Sequence, residues 1–204
     1  MTEAEWLACG DPGPMLALLR DWASDRKLRL FGCACYRSLW SKVRVSQIRW
    51  DVLRANESYA DGEISKQALK LARKRILEWD GPHVSGQARE VAGMSSRQCL
   101  GETSLSGGSI VRAGGEELPV QLALLRHIFG NPFRPVAFAR DWRTDTSVSL
   151  AAQMYESRDF YAMPILADAL QDAGCDSADV LDHCRGSGPH VRGCWVIDRV
   201  LGKE

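Results

Sequence analysis

The chain has 204 residues, 45% of them apolar and 25% charged, which suits a globular protein with a real core and argues against overall disorder. Lys plus Arg (26) offset Asp plus Glu (26), so no global field draws in nucleic acid or an anionic membrane. The balance is uneven: residues 1–100 hold 16 basic and 12 acidic side chains, and 101–204 hold 10 and 14.

No apolar run reaches the roughly eighteen residues a transmembrane helix needs. The start, MTEAEWLACGDPGP, lacks the basic and apolar regions of a signal peptide. Seven cysteines, an odd number without an export signal, suggest reduced thiols and a cytoplasmic protein.

Thr2 and Glu5 have the spacing of a capping box, which predicts a helix at once. Asp11-Pro12-Gly13-Pro14 breaks it, and Pro14 suits the first turn of a helix over MLALLRDWA. Ser24 reads as the N-cap of SDRKLRLFGCACYRSLW, where Leu28, Phe31, Cys35 and Leu39 form one apolar face. Further helices are predicted at 46–60, through Ile48, Val52 and Tyr59, and at 65–79, SKQALKLARKRILEW. Residues 101–118 are rich in Gly, Ser and Thr without a period, and read as a flexible loop; SIVRA is the one weak strand candidate. Helical periodicity returns in PVQLALLRHIF and stops at Gly130-Asn131-Pro132. Helices follow at 147–158, from Pro164 to a C-cap at Gly174, at 177–185 and at 190–201. The expected class is all-α: one compact domain of about eight to ten helices, with helical-repeat character as one form.

The stretch CDSADVLDHCRGSGPHVRGCW raises a metal question. Cys175, Cys184, His190 and Cys194 stand at the 8-5-3 spacing of a CCCH zinc finger with the last two ligand types exchanged. Zinc takes four N or S donors in a tetrahedron in either order. The packing reading is the stronger: Val180, Leu181 and Cys184 share a helix face, as do Cys194, Ile197 and Leu201, and free Cys packs as a small hydrophobe. RGSGPH also lacks aromatic residues for base stacking, and His183 and His190 fall near helix ends, where hydrogen bonding is their commonest role. No cofactor is therefore expected, with zinc as the alternative.

Other candidates are weaker. Cys33 and Cys35 lie about 200° apart on a helix, unsuited to sharing one metal. Lys66, Lys70, Arg73 and Lys74 make a basic stripe beside Trp79, able to meet phosphates or an acidic partner. Arg134, between two prolines, can anchor a partner carboxylate or pair within the fold. There is no GxGxxG, Walker-A loop, HExxH or G-x-S-x-G. Gly107-Gly108-Ser109 and the adjacent Glu116-Glu117 offer little for catalysis. Cys9 and Cys99 are the thiols least committed to a helix face, and so the candidates for a reactive one.

MTEAEWLACGDPGPML, SDRKLRLF, RHIFGNPFRPV, MPILADALQDAGC and HCRGSGPHVRGCWVIDRVLGKE resemble a large paralogous family of planctomycete bacterial proteins. The resemblance covers residues 1–40 and 120–204; the part between is similar to the family's variable middle. Tyr36 stands where the family pattern has another Cys, against a metal cluster at 33–36. The resemblance implies a single bacterial cytoplasmic module and carries no activity, ligand or catalytic residue. The functional expectation is a non-enzymatic interaction or scaffold module with a protein partner, its middle segment serving recognition. The alternatives are a nucleic-acid-binding protein using helix 65–79, with or without zinc at 175–194, and an enzyme with a Cys/His site. No membrane association is expected.

Overall fold

The computed structural model describes residues 1–41, 45–80 and 118–203. The expected loop at 101–118 lies outside them apart from Leu118, as do SIVRA, Cys99, Gly107-Gly108-Ser109, Glu116-Glu117 and the Trp79 side chain. Among the described residues the protein is all-α: ten α-helices, one 3-10 turn and no strand. The helices are α1 (Glu3–Ala8), α2 (Pro12–Leu19), α3 (Asp25–Ser41), α4 (Gln47–Ala60), α5 (Lys66–Asp80), α6 (Leu118–Phe129), α7 (Asp145–Ser157), α8 (Met163–Asp172), α9 (Ala178–Arg185) and α10 (Trp195–Leu201), with the 3-10 turn at Arg140–Trp142. None is long and apolar enough to cross a membrane.

Local chemistry sets most boundaries. At α1 the capping box closes both ways: the Thr2 amide donates to Glu5 Oε2 (2.6 Å) and the Glu5 amide to Thr2 Oγ1 (3.3 Å). Ser24 and Ser65 accept from the Lys27 and Ala68 amides at the starts of α3 and α5. Boundaries that differ from the sequence reading include the end of α2, at Leu19 instead of Ala23, the start of α7, at Asp145 instead of Ser147, and two further helix starts. Helix α2 begins at Pro12 rather than after Pro14, because Asp11 Oδ1 takes the Gly13 amide at 2.8 Å, and both prolines sit in a first turn that needs no amide donors. The last helix begins at Trp195 instead of 190, because the chain turns after Pro189 and the Cys194 amide donates back to Val191 O (3.0 Å).

The described residues divide into two compact units. The N-terminal unit is Ala8–Leu122 with Met1, and the C-terminal unit is Thr2–Leu7 with Ala123–Glu204. In the first, α3 packs on α4 and α4 on α5 around Cys33, Tyr36, Trp40, Val52 and Leu53. Two polar groups hold its interior: Arg37 donates to both Glu57 carboxylate oxygens (2.6 and 2.8 Å), and Arg29 and Arg73 both donate to Asn56 Oδ1.

In the C-terminal unit, α7 packs on α8 and α10, and α8 on α9, around Tyr155, Leu166, Leu170, Val180 and Ile197. Arg126, in the last turn of α6, donates to the carbonyls of Trp6 and Leu7 (both 3.1 Å) and ties α1 to this unit. Gly130 ends α6 with φ +69°, a conformation that favours glycine.

Candidate functional site

Three imidazoles converge in the C-terminal unit. His127 comes from the last turn of α6, His183 from α9, and His190 from the Gly186–Cys194 connection. Their ring centroids lie 4.8 Å (127–183), 5.0 Å (127–190) and 5.2 Å (183–190) apart. One ring nitrogen from each lies within 4.8 Å of the other two. The chain has four histidines, and the fold gathers three of them in one place.

The hydrogen bonds assign the tautomers of His183 and His190. His190 Nε2 lies 3.1 Å from the Gly186 carbonyl, which can only accept, so Nε2 carries the proton and Nδ1 a lone pair. The Trp195 indole N–H, which can only donate, points at His183 Nδ1 (3.0 Å), so that nitrogen also holds a lone pair. The proton of His183 is then on Nε2, donated to Cys194 Sγ at 3.0 Å. Nδ1 of His127 and Nδ1 of His190 are both buried with no hydrogen-bond partner. Burial, and secondly the closeness of His190, pushes His127 down to about 4, while burial lowers His190 against the opposing pull of the Gly186 carbonyl. Both rings are neutral at pH 7. At His190 one nitrogen is anchored to a carbonyl and the other bears a lone pair, which is what a transition metal needs.

Of the sequence-derived set, Cys175, Cys184 and Cys194 lie together in the buried core cluster of this unit, and His190 lies apart from that cluster among the imidazoles. Cys194, the residue capping α10, touches the imidazoles through His183. Burial above all, with Cys194 and Cys175 nearby, holds the Cys184 thiol far above its ordinary range, and burial also raises Cys175 despite the Ser177 backbone. A thiol kept protonated is a poor nucleophile. His127 is the residue that spacing missed: its meeting with 183–190 is made by tertiary packing. The signal that points to it is the scarcity of histidine in this chain.

The His183–Cys194 pair is not arranged as a catalytic dyad. A base that takes the thiol proton becomes imidazolium with N–H on both nitrogens. Here the second N–H would face the Trp195 indole N–H, donor against donor. Cys194 is also fully buried. Cys9, partly exposed, donates its S–H to the Asp11 carbonyl (3.1 Å).

On α5, Lys66, Lys70 and Lys74 are exposed, and Lys74 pairs with Glu78 at 3.4 Å. Arg73 instead turns inward and donates to Asn56 Oδ1 at 2.9 Å, so the stripe is three lysines. Arg134 is largely exposed, with long ion pairs to Glu3 (3.6 Å) and Asp179 (3.8 Å), and borders a cleft of about 360 Å³ together with Trp142 and Asp176.

With this geometry in hand, comparison with known proteins gives no parallel: no family model, no curated protein and no solved structure matches the chain.

Proposed function

We propose that this protein is a non-enzymatic helical module whose C-terminal unit holds a divalent cation of the zinc class at His127, His183 and His190, and which works by binding a partner protein. The observation that carries the metal is the pair of buried Nδ1 atoms of His127 and His190, neither with a hydrogen-bond partner, in a cluster of three imidazoles. Burying an unsatisfied polar atom costs about 1–3 kcal/mol, and a cation satisfies both at once. Imidazole donors select zinc, copper, nickel or iron over magnesium and calcium. The cation would join the end of α6, α9 and the connection to α10 within one unit, a structural role.

Elemental analysis of protein purified without a nickel column, with native intact mass, tests this. One equivalent of metal, lost in His127→Ala and His190→Ala, supports the reading. A folded protein that carries none and takes up none when zinc is titrated sinks it.

Partner binding draws support from exposed apolar groups: Tyr161 (93% exposed) in the turn before α8, Ile165 on α8, and Leu71 on α5. A nucleic-acid reading keeps one favourable observation, the three exposed lysines at four-residue steps on α5. It requires steeply salt-dependent binding to oligonucleotides, lost when Lys66, Lys70 and Lys74 are changed to Glu.

A further inference from the structure

We infer that Trp195 gates the imidazole cluster: its indole N–H occupies the Nδ1 lone pair of His183, and a cation bound by His183 must expel it. The inference rests on the metal reading above and concerns how that site is regulated.

The argument holds whichever nitrogen of His183 takes the cation. If Nδ1 binds, cation and indole compete directly for the lone pair that now accepts the Trp195 N–H at 3.0 Å. If Nε2 binds, the proton it shares with Cys194 Sγ moves to Nδ1, because a neutral imidazole keeps one N–H. That proton then faces the indole N–H, and two donors cannot share a line. The indole leaves in both cases. No oxidation is involved, and the ring gains or loses no proton overall.

The fold seats the indole closely. A Cβ built at position 130 would stand 3.3 Å from Trp195 Cγ and 3.4 Å from Cδ1 and Cδ2, so the indole lies close over Gly130. This placement delivers the N–H to His183. Trp195 is itself only partly buried and opens α10. Its displacement therefore begins at the first residue of a helix, next to Cys194.

A gate of this kind weakens binding by the worth of the bond it breaks. One net hydrogen bond corresponds to about a two- to tenfold loss in affinity. Trp195→Phe removes the N–H while keeping an aromatic ring over Gly130.

The test is titration of the full chain with zinc against a competing chelator, for the wild type and Trp195→Phe, with the indole N–H signal of ¹⁵N-labelled wild-type protein followed in parallel. Binding two- to tenfold tighter in Trp195→Phe, with a Trp195 N–H resonance that moves on adding one equivalent of zinc, is the expected result. Equal or weaker binding in the variant, with a resonance that stays in place, overturns the gate and leaves the metal site standing. Absence of zinc binding in both proteins removes the metal reading and the gate with it. If Trp195→Phe fails to fold, the wild-type resonance alone decides.

Discussion

His127 Nε2 lies against the backbone of Gly188, where a Cβ at residue 188 would come within 1.7 Å of it. The same Cβ would be 2.1 Å from His127 Cε1, so the ring cannot stay where it is if residue 188 has any side chain. Gly188 does not have a positive φ, so alanine is acceptable to its backbone and the effect is purely steric. Gly188→Ala is expected to destabilise the protein by about 1–3 kcal/mol, as overpacking does. It should also weaken zinc binding at least about tenfold by moving a ligand. Urea unfolding and zinc titration check both; wild-type zinc affinity in this variant would remove His127 from the site.

The metal readings based on spacing and on geometry make opposite demands on two cysteines. If zinc sits among the imidazoles, Cys175→Ala and Cys184→Ala lose stability through cavities in the core but keep one equivalent of metal. His127→Ala loses the metal. A finger built on Cys175, Cys184, His190 and Cys194 requires the reverse. Zinc at a hundred times its dissociation constant should raise stability by about 2.7 kcal/mol, reversibly on chelation, in every variant that binds it.

The histidines also set a pH dependence for the metal-free protein. His127 titrates at about 4 when folded and near its ordinary 6.5 when unfolded. Between these values the unfolded chain binds a proton that the folded chain refuses, so stability rises with pH across that window and levels off above it. His190 is shifted in the same direction by its burial and adds to the slope. Allowing for partial exposure, the His127 contribution is on the order of 1–3 kcal/mol. Carboxylates titrate near the lower end, so the measurement is a difference: urea unfolding in chelator from pH 4 to 8 for the wild type and His127→Gln. A slope unchanged by the substitution would contradict the burial of this ring.

The helices were legible because periodicity and end chemistry agree. The Thr2–Glu5 box, Ser24, Gly130 and Gly174 all mark real ends, the two glycines with φ +69° and +87°. The start of α2 was misplaced because an Asp and a Pro read equally well as a break and as a cap, and only the Asp11–Gly13 hydrogen bond decides. The site was legible in part. His190 and Cys194 stood out by spacing, and the helical period correctly placed Val180 and Cys184 on one buried face. His127 was invisible to both signals, since the turn after Gly130 and the bare backbone at Gly188 bring its ring to His183, and neither leaves a periodic trace. Arg73 shows the opposite error: counted in a basic stripe, it serves the interior because Asn56, a turn from Val52 on the buried face of α4, needs a donor for its oxygen.

A last prediction concerns the N-terminal unit. Glu57 is almost wholly buried and receives two hydrogen bonds from Arg37, whose own side chain is 30% exposed. Arg54 and Asp51 form an ion pair one turn apart on the same helix, α4, but both are about half exposed. Geometry and burial, rather than charge, separate the two. Removing Arg37 leaves a buried carboxylate without its bidentate partner, and Arg37→Ala is expected to cost about 2–4 kcal/mol. Arg54→Ala should cost no more than about 0.5 kcal/mol. Adding Glu57→Gln to Arg37→Ala should recover part of the loss, because the amide needs no counter-charge. Chemical denaturation of the three variants measures this directly. Equal losses in Arg37→Ala and Arg54→Ala would mean that Glu57 is reached by water and that the pair is a surface contact.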